Sequence, residues 1–217
     1  MENILNLELN LNSNSFGKNI AKNGGALYIG KEKISDTQFE DKAIIFENNN
    51  FYENYAQMFG GAILLEYNKM YLAKTKNNNI INNKADIMGA GIYFSDPFDS
   101  NIMDIDGFEF SNNTVSSIID NYTTKPAYIY LNSTLSYNLR NINNGIHFPL
   151  TFTLNDKYGN IILDINKFYS IITFKLNIKL KYNKSTLDNT YDNNFYLLEN
   201  TCSFIKGNNI YIIIIKK

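Results

Sequence analysis

The sequence predicts an all-β protein in which a short parallel β-helix is followed by a small antiparallel, β-sandwich-like segment. One pattern of aromatic, amide and small residues returns about every 30 to 36 residues, a period typical of repeat folds. Apolar and polar residues alternate before each copy, which is the periodicity of a strand. No stretch has the apolar spacing of a helix. Equivalent strands of successive copies must therefore pair in parallel and in register.

The repeat consists of a Phe-x-x-Asn sequence, a following Ala, and a Gly-Gly-Ala-Ile sequence. The two complete copies are Phe16-Gly17-Lys18-Asn19 with Gly24-Gly25-Ala26-Leu27, and Phe51-Tyr52-Glu53-Asn54 with Gly60-Gly61-Ala62-Ile63. The two decayed copies are Ile80-Ile81-Asn82-Asn83 with Gly89-Ala90-Gly91-Ile92, and Phe110-Ser111-Asn112-Asn113 with Pro126-Ala127-Tyr128-Ile129-Tyr130. Because the copies agree at linked positions, they predict one repeated layer of strands.

Three positions of the repeat have physical reasons. The aromatic residue, replaced by Ile80 in the third copy, would stack along the interior, where each aromatic side chain buries about 150–250 Å². The Asn would lie at a corner, where it tolerates left-handed backbone angles and can bond to the next copy in an asparagine ladder. The glycines would make the next bend without steric cost. The predicted structural residues are Phe16, Asn19, Gly24, Gly25, Ala26, Phe51, Asn54, Gly60, Gly61, Ala62, Asn83, Gly89, Gly91, Phe110 and Asn113.

The pairing of Phe-x-x-Asn with Gly-Gly-Ala-Ile resembles the polymorphic outer membrane protein repeat. The resemblance covers about residues 1–131 and departs from the family pattern at Gly89-Ala90-Gly91 and at Pro126-Ala127. It implies a right-handed parallel β-helix of the pectin-lyase-like class, as in bacterial surface adhesins and large repetitive ciliate proteins. It also implies display and adhesion rather than catalysis. The usage of Asn, Ile and Lys favours a protist, ciliate-type version.

The repeat stops after Leu131, and an Asn-rich linker at 138–145 predicts a domain boundary. We therefore predict β-helix repeats over 1–146 and a β-sandwich-like segment over 147–217. In that segment, 150–154 and 161–165 have strand patterns on either side of a turn at 155–160. The alternating 171–180 and the apolar 210–215 are further strand candidates. About five strands fit there, fewer than a complete immunoglobulin-like sandwich needs.

The charge and the apolar stretches of the sequence limit the classes of partner that are expected. The net charge is −1, with 20 Lys and Arg against 21 Asp and Glu, and neither sign forms a long block, so no nucleic acid partner is expected. Residues 1–15 lack the basic start and the apolar run of a signal peptide. The apolar stretch at 210–215 is far shorter than the roughly 20 residues that span a bilayer, so no transmembrane segment is expected. The location stays open, with the cell surface or the extracellular space suggested by the resemblance alone.

Few residues could carry chemistry, and no cofactor is predicted. Asp96, Asp99, Asp104 and Asp106 form the main acidic cluster and are a weak candidate for a calcium site, although a solvated turn would also account for them. Arg140 lies in the linker, and His147 lies at the domain boundary without a partner for base catalysis. Cys202 is the only Cys, so it forms no internal disulfide, and it has no partner pattern for a nucleophile.

The sequence therefore predicts a non-enzymatic structural or adhesive surface module, associated with a membrane surface and binding protein or carbohydrate. Four layers spaced about 4.8 Å apart make a stack only about 19 Å tall, with unpaired strand edges at its ends. We expect the chain to belong to a larger β-helix protein or to stack end to end with other layers through residues 1–11. Two alternatives stay open. One is a polysaccharide lyase or glycoside hydrolase with its site at Asp96–Asp106, and the other is a non-functional gene fragment.

Overall fold

The structure, a computed structural model, is built from strands joined by turns. It describes residues 7–31, 42–95, 102–132, 147–169, 173–175, 196–197, 201–203 and 208–216. Across these residues the one helical element is a single 3-10 turn at Met70–Leu72, so the predicted all-β class is confirmed. Within the same residues, no helix is long and apolar enough to cross a membrane.

The chain divides into two compact units. The first, here called the stacked unit, contains Met1–Ala127 together with Asp156–Asn160. The second, the antiparallel unit, contains Tyr128–Asn155 and Ile161–Lys217. The segment Asp156–Asn160 thus belongs to the stacked unit although it comes later in the chain.

The stacked unit is built from sixteen short strands among its described residues. In chain order they are β1 Leu9–Asn12, β2 Ser15–Gly17, β3 Ile20–Ala21, β4 Leu27–Ile29, β5 Ile44–Glu47, β6 Asn50–Tyr52, β7 Tyr55–Ala56, β8 Ile63–Leu65, β9 Lys74–Lys76, β10 Asn78–Ile81, β11 Lys84–Ala85, β12 Ile92–Phe94, β13 Phe108–Ser111, β14 Thr114–Val115, β15 Ile118–Ile119 and β16 Tyr122–Thr124. They form four sheets, ordered β1-β5-β9, β2-β6-β10-β13, β3-β7-β11-β14-β15 and β4-β8-β12-β16.

Each copy of the repeat is called a layer, and each of the first three copies contributes one strand to each sheet, while the fourth copy contributes no strand to the first sheet. Layer 1 comprises β1 to β4, layer 2 comprises β5 to β8, layer 3 comprises β9 to β12, and layer 4 comprises β13, β14 and β16. Neighbouring layers pair in parallel throughout, as Leu9 with Ile44 and Phe16 with Phe51 show. Equivalent asparagines in successive layers are 35, 29 and 30 residues apart. The predicted parallel, in-register pairing of successive copies is therefore present.

The interior holds the apolar side of these strands. Phe16 and Phe51 stack with ring centroids 4.8 Å apart and planes 10° apart, and Ile80 continues the column in register. Phe51 and Ile80 are completely buried. Ala56, Ala85 and Val115 of the third sheet form a second, smaller cluster with Ala90, so the recurring Ala packs apart from the aromatic column.

The fourth layer ends differently from the prediction. The strand that pairs with Ile92 begins at Tyr122, so the assignment of Pro126-Ala127-Tyr128-Ile129-Tyr130 to the fourth copy is wrong. Asn121 and Tyr122 stand as far along the chain from Asn113 as Gly91 and Ile92 stand from Asn83, and this spacing determines the register. The fourth copy lacks the glycines of the repeat, so the sequence pattern did not show this register. Tyr128–Leu131 instead forms an antiparallel edge strand of the other unit.

The antiparallel unit has a different topology. Its described strands are β17 Tyr128–Leu131, β18 His147–Asn155, β19 Thr173–Lys175, β20 Tyr196–Leu197, β21 Thr201–Ser203 and β22 Asn208–Lys216. They form an antiparallel sheet ordered β17-β18-β22-β20 and a separate antiparallel pair, β19-β21. The predicted strands at 150–154 and 210–215 are present. The predicted strand at 161–165 is wrong, since Ile161 makes only an isolated bridge to Asn155.

Candidate functional site

The predicted asparagine ladder is present in the stacked unit. The backbone N–H and the Nδ2 of Asn54 both donate to Oδ1 of Asn83, each at 2.9 Å. Asn19 makes the same two bonds to Asn54, and Asn83 makes them to Asn113, at 2.9–3.0 Å. In each pair the Asn of the earlier layer donates and that of the later layer accepts, so the ladder has a direction.

A second ladder runs parallel to the first, and the Phe-x-x-Asn pattern did not predict it. Asn14 donates through its N–H and Nδ2 to Oδ1 of Asn49 at 3.1 Å, and Asn49 donates likewise to Asn78. The signal was available, because an Asn stands two residues before Phe16, Phe51 and Ile80. In the fourth copy Phe108 takes this position, and the ladder ends there with Asn78 donating to the Gly107 carbonyl at 3.2 Å.

The inner ladder amides are fully bonded. Asn83 Nδ2 donates to the Phe51 carbonyl at 3.0 Å as well as to Asn113, while its Oδ1 accepts the N–H and Nδ2 of Asn54. An amide side chain has two N–H donors and two acceptor lone pairs, so none is left over. Five ladder residues are no more than 1 % exposed, namely Asn49, Asn54, Asn78, Asn83 and Asn113. Their burial is possible because every polar atom is paired.

The expectation that the ladder Asn itself has left-handed backbone angles is wrong. The residue with left-handed backbone angles is the one before each ladder Asn, not the Asn itself. Glu53 has φ 52° and Asn82 has φ 57°. A left-handed residue at this point turns the chain so that the next side chain enters the interior. Among residues other than Gly, Asn and Asp tolerate this conformation best, yet Lys18 and Glu53 also adopt it.

The two glycines of each pair have different roles. Gly24, Gly60 and Gly89 have φ between 60° and 68°, which a side chain rarely adopts. The next glycine is required by space, because a Cβ on Gly61 would overlap the carbonyl oxygen of Ala90 in the following layer. The predicted bend is thus present.

The outward side of the second and third sheets is the candidate ligand-binding surface of the stacked unit. This outer face consists of the strand residues that alternate with buried ones. They are Ser15, Gly17, Ile20, Asn50, Tyr52, Tyr55, Asn79, Ile81, Lys84, Glu109, Ser111 and Thr114. The Tyr52 ring lies directly over Gly17, where a Cβ would overlap it. The outer face therefore offers an aromatic ring among amide, hydroxyl and charged groups.

Two outward tyrosines are bonded to carboxylates. Tyr55 donates its hydroxyl to Oδ2 of Asp86 at 2.6 Å, and this hydrogen bond is the main reason that the pKa of Tyr55 is raised. Tyr28 donates to Oε2 of Glu66 at 2.6 Å. Burial, followed by the bond and charge of Glu66, raises the pKa of Tyr28 to about 12. Both hydroxyls are therefore protonated donors at neutral pH.

The structure gives little support to the predicted calcium site at Asp96–Asp106. Asp104 accepts the N–H of Asp106 at 2.9 Å through Oδ1, as a solvated turn would. Asp96 and Asp99 lie outside the described residues. Among those that are described, no three His, Cys, Asp or Glu side chains are grouped so that they could hold a metal ion. Arg140 also falls outside them, while His147 and Cys202 lie in β18 and β21.

Two other carboxylates lie at the layer-4 end of the stacked unit. Asp120 accepts the N–H of Gly89 at 2.8 Å. Burial raises the pKa of Asp120 to about 6, opposed by the Gly89 bond and supported by the charge of Asp156. Asp156 accepts from Thr123 Oγ1 at 3.2 Å and from the Thr124 N–H at 3.1 Å. Both carboxylates thus accept hydrogen bonds that join neighbouring segments. Their sequence positions suggested no site.

No known protein family, curated protein or solved structure matches this chain.

Proposed function

We propose that residues 9–124 form a right-handed parallel β-helix that serves as a non-enzymatic structural or adhesive surface module. In this proposal it is part of a larger β-helix protein, and its outer face binds a protein or carbohydrate partner. The observation that carries the proposal is the use of the repeat's polar residues. The recurring asparagines are buried and bonded between layers, so the repeat builds a scaffold and not a reaction centre.

The handedness follows from a general rule. Connections between parallel strands of one sheet are right-handed in about 98 % of cases, because strand twist favours that hand. Layers 2, 3 and 4 each return to pair in parallel with the layer before them. A right-handed course of the chain is therefore the expected one.

Binding at the outer face is supported by its composition. Aromatic rings supply apolar contact area and, in Tyr, a hydroxyl that can bond to a ligand. Tyr52 lies in the second sheet and Tyr55 in the third, close together in sequence. Amides at Asn50 and Asn79 lie at equivalent positions in adjacent strands. A flat, extended polar chain such as a polysaccharide would meet both kinds of group.

Affinity electrophoresis of the full chain tests this function with polygalacturonate and a neutral β-glucan as probes. We expect retardation by at least one probe, reduced several-fold by Tyr52→Ala. Tyr71→Ala is the matched control, because Tyr71 is 39 % exposed but lies in the 3-10 turn, outside the outer face.

Cleavage is measured in the same samples. New reducing ends or unsaturated products, made with or without Ca²⁺ and lost in Asp104→Ala, would establish the carbohydrate-cleaving alternative and overturn the non-enzymatic proposal. Retardation that Tyr52→Ala leaves unchanged would instead remove the outer face as the binding surface.

A further inference from the structure

Among the described residues, the layer-1 end of the stacked unit has an edge that no other strand covers, here called the open edge. Strands β1, β2, β3 and β4 are each the last strand of their sheet. Asn14 and Asn19 donate to layer 2, but within the described part of the chain nothing donates to their Oδ1 atoms. Asn19 is exposed, whereas its equivalents Asn54 and Asn83 in the inner layers are buried. Phe16, Leu9 and Leu11 are only partly buried, whereas Phe51 in layer 2 is completely buried.

The ladders define what would fit this edge. Inside the stack, each layer receives on this side an Asn that donates its N–H and Nδ2 to the ladder Oδ1. In return it donates its own Nδ2 to a carbonyl of the incoming layer, as Asn49 does to the Leu11 carbonyl at 2.9 Å. Asn54 does the same to the Phe16 carbonyl at 2.9 Å. An incoming strand must therefore be parallel and must carry two asparagines in the same register.

The other end of the stack does not offer such a strand. There Asn113 donates to Oδ1 of Asn121 at 3.1 Å, and the second ladder stops at Gly107. The strand β15 pairs antiparallel with β14, and Asp156 bonds to Thr124. In the described residues, the two ends are thus not complementary, so a second copy of this chain lacks a matching partner for the open edge.

We propose that the open edge, formed by β1 to β4, is a docking surface for a further parallel β-helix layer of the pattern Asn-x-Phe-x-x-Asn. The incoming layer places its two asparagines on Asn14 and Asn19 and covers Phe16 with its own aromatic residue. The proposal rests on the proposed β-helix scaffold. It adds the chemistry of the partner and the direction from which it binds.

An insertion into the full chain tests the docking. Equivalent residues of layers 2 and 3 are 29 residues apart, and Ile44 pairs with Leu9. A second copy of the 29 residues 44–72, inserted directly before Leu9, would therefore pair with layer 1 in the same register. We expect the copied Asn49 and Asn54 amides to exchange with deuterium at least about tenfold more slowly than in a control insertion. The control is the same segment with Asn49→Leu and Asn54→Leu. Equal exchange in the two insertions would overturn the proposal.

Exchange at the ladder amides of residues 49–83 in the original layers distinguishes failure of the docking proposal from failure of the scaffold proposal. If they stay protected while the copied segment exchanges freely, only the docking proposal fails. If they are unprotected in the unaltered chain, the proposed scaffold itself fails. If the insertion disturbs them, the unaltered chain is mixed with a synthetic peptide of residues 44–72, and the side-chain amide signals of Asn14 and Asn19 are followed by NMR.

The peptide with both asparagines replaced by Leu is the control for that measurement. We expect the native peptide alone to shift the two signals, and equal shifts with both peptides would contradict the proposal.

Sedimentation of the unaltered chain at rising concentration tests whether a second copy of this chain binds the open edge. A monomer is expected, whereas a dimer that Asn19→Asp disrupts would assign the edge to a second copy and overturn the proposed partner.

Discussion

A buried amide side chain destabilises a protein unless all of its polar atoms are bonded, and the inner ladder asparagines meet this condition. Asn83 makes four side-chain hydrogen bonds and is completely buried. The Phe-x-x-Asn pattern predicted this ladder, because an Asn that recurs at the same corner of every copy can bond to its equivalents in the neighbouring copies. The second ladder was not predicted, because in an Asn-rich chain its members could not be told apart from their neighbours without the register.

Replacement of one inner ladder residue tests this interpretation at the level of single bonds. We expect Asn83→Ala to lower the free energy of unfolding by about 2–4 kcal/mol, because it leaves buried donors of Asn54 without an acceptor. Asn19→Ala is the matched control at the exposed end of the same ladder, and about 1 kcal/mol is expected there. Urea unfolding measures both. Equal losses in the two variants would show that burial of the ladder contributes nothing.

The carboxyl group of Asp120 is expected to make the free energy of unfolding depend on pH. Its pKa is raised from 3.8 to about 6 in the folded protein, so the folded state holds the proton more tightly than the unfolded state. Its contribution therefore favours folding below about pH 4 and is lost as the pH rises through about 6, by about 1–3 kcal/mol. The Asp120→Asn variant keeps an acceptor for Gly89 but cannot ionise. We expect its unfolding free energy to fall less than that of the unaltered chain between pH 4 and 7, and parallel curves would contradict the assignment.

At the scale of elements, the strands of the stacked unit are too short to be stable alone. Those of the third sheet have two residues each, and an isolated pair of such strands is not stable in water. Their stability must come from neighbouring layers and from segments that cover the ends. Asp156–Asn160 is such a segment. The Tyr158 ring lies 5.2 Å from Tyr122 and 5.5 Å from Phe94, and its hydroxyl donates to the Met103 carbonyl at 2.9 Å.

Removal of this ring tests whether the segment seals layer 4. We expect Tyr158→Ala to destabilise the protein by about 2–4 kcal/mol, somewhat less than the roughly 3–5 kcal/mol for a fully buried aromatic side chain, because Tyr158 is only partly buried. Tyr130→Ala is the control, since Tyr130 is 57 % exposed and its truncation should cost less than about 1 kcal/mol. Thermal unfolding of the two variants distinguishes them. A Tyr158 variant as stable as the Tyr130 variant would mean that the segment only rests on the stack.

At the scale of the whole molecule, the stacked unit resembles other repeat arrays in that each layer contacts only its neighbours. Among the described residues, layers 2 and 3 have a layer on each side, layer 4 has one layer and the covering segment Asp156–Asn160, and layer 1 has one layer. Local opening should therefore be easiest at layer 1. The interior column and the first ladder cross all layer boundaries, and the second ladder joins layers 1 to 3, so disruption of an inner layer should affect the entire unit.

Hydrogen exchange measures this gradient with matched donors. The amides of Asn14, Asn19, Asn49 and Asn54 all donate to a ladder Oδ1 at 2.9–3.1 Å. We expect those of Asn49 and Asn54 to exchange at least about tenfold more slowly, because layer 1 can open without breaking layer 2. Uniform rates at all four amides would indicate one cooperative unit without a weak end.

The sequence alone determined the all-β class, the layer spacing and the first ladder, because these depend on residue types that recur at fixed intervals. The tertiary structure decided the features that depend on which residues meet across layers. It revealed the second ladder, the left-handed residue before each ladder Asn, the true position of the fourth-layer strand at Tyr122, and the covering of layer 4 by Asp156–Asn160. Register and distant contacts are set by hydrogen bonds between layers, and a local pattern of residues does not specify those partners.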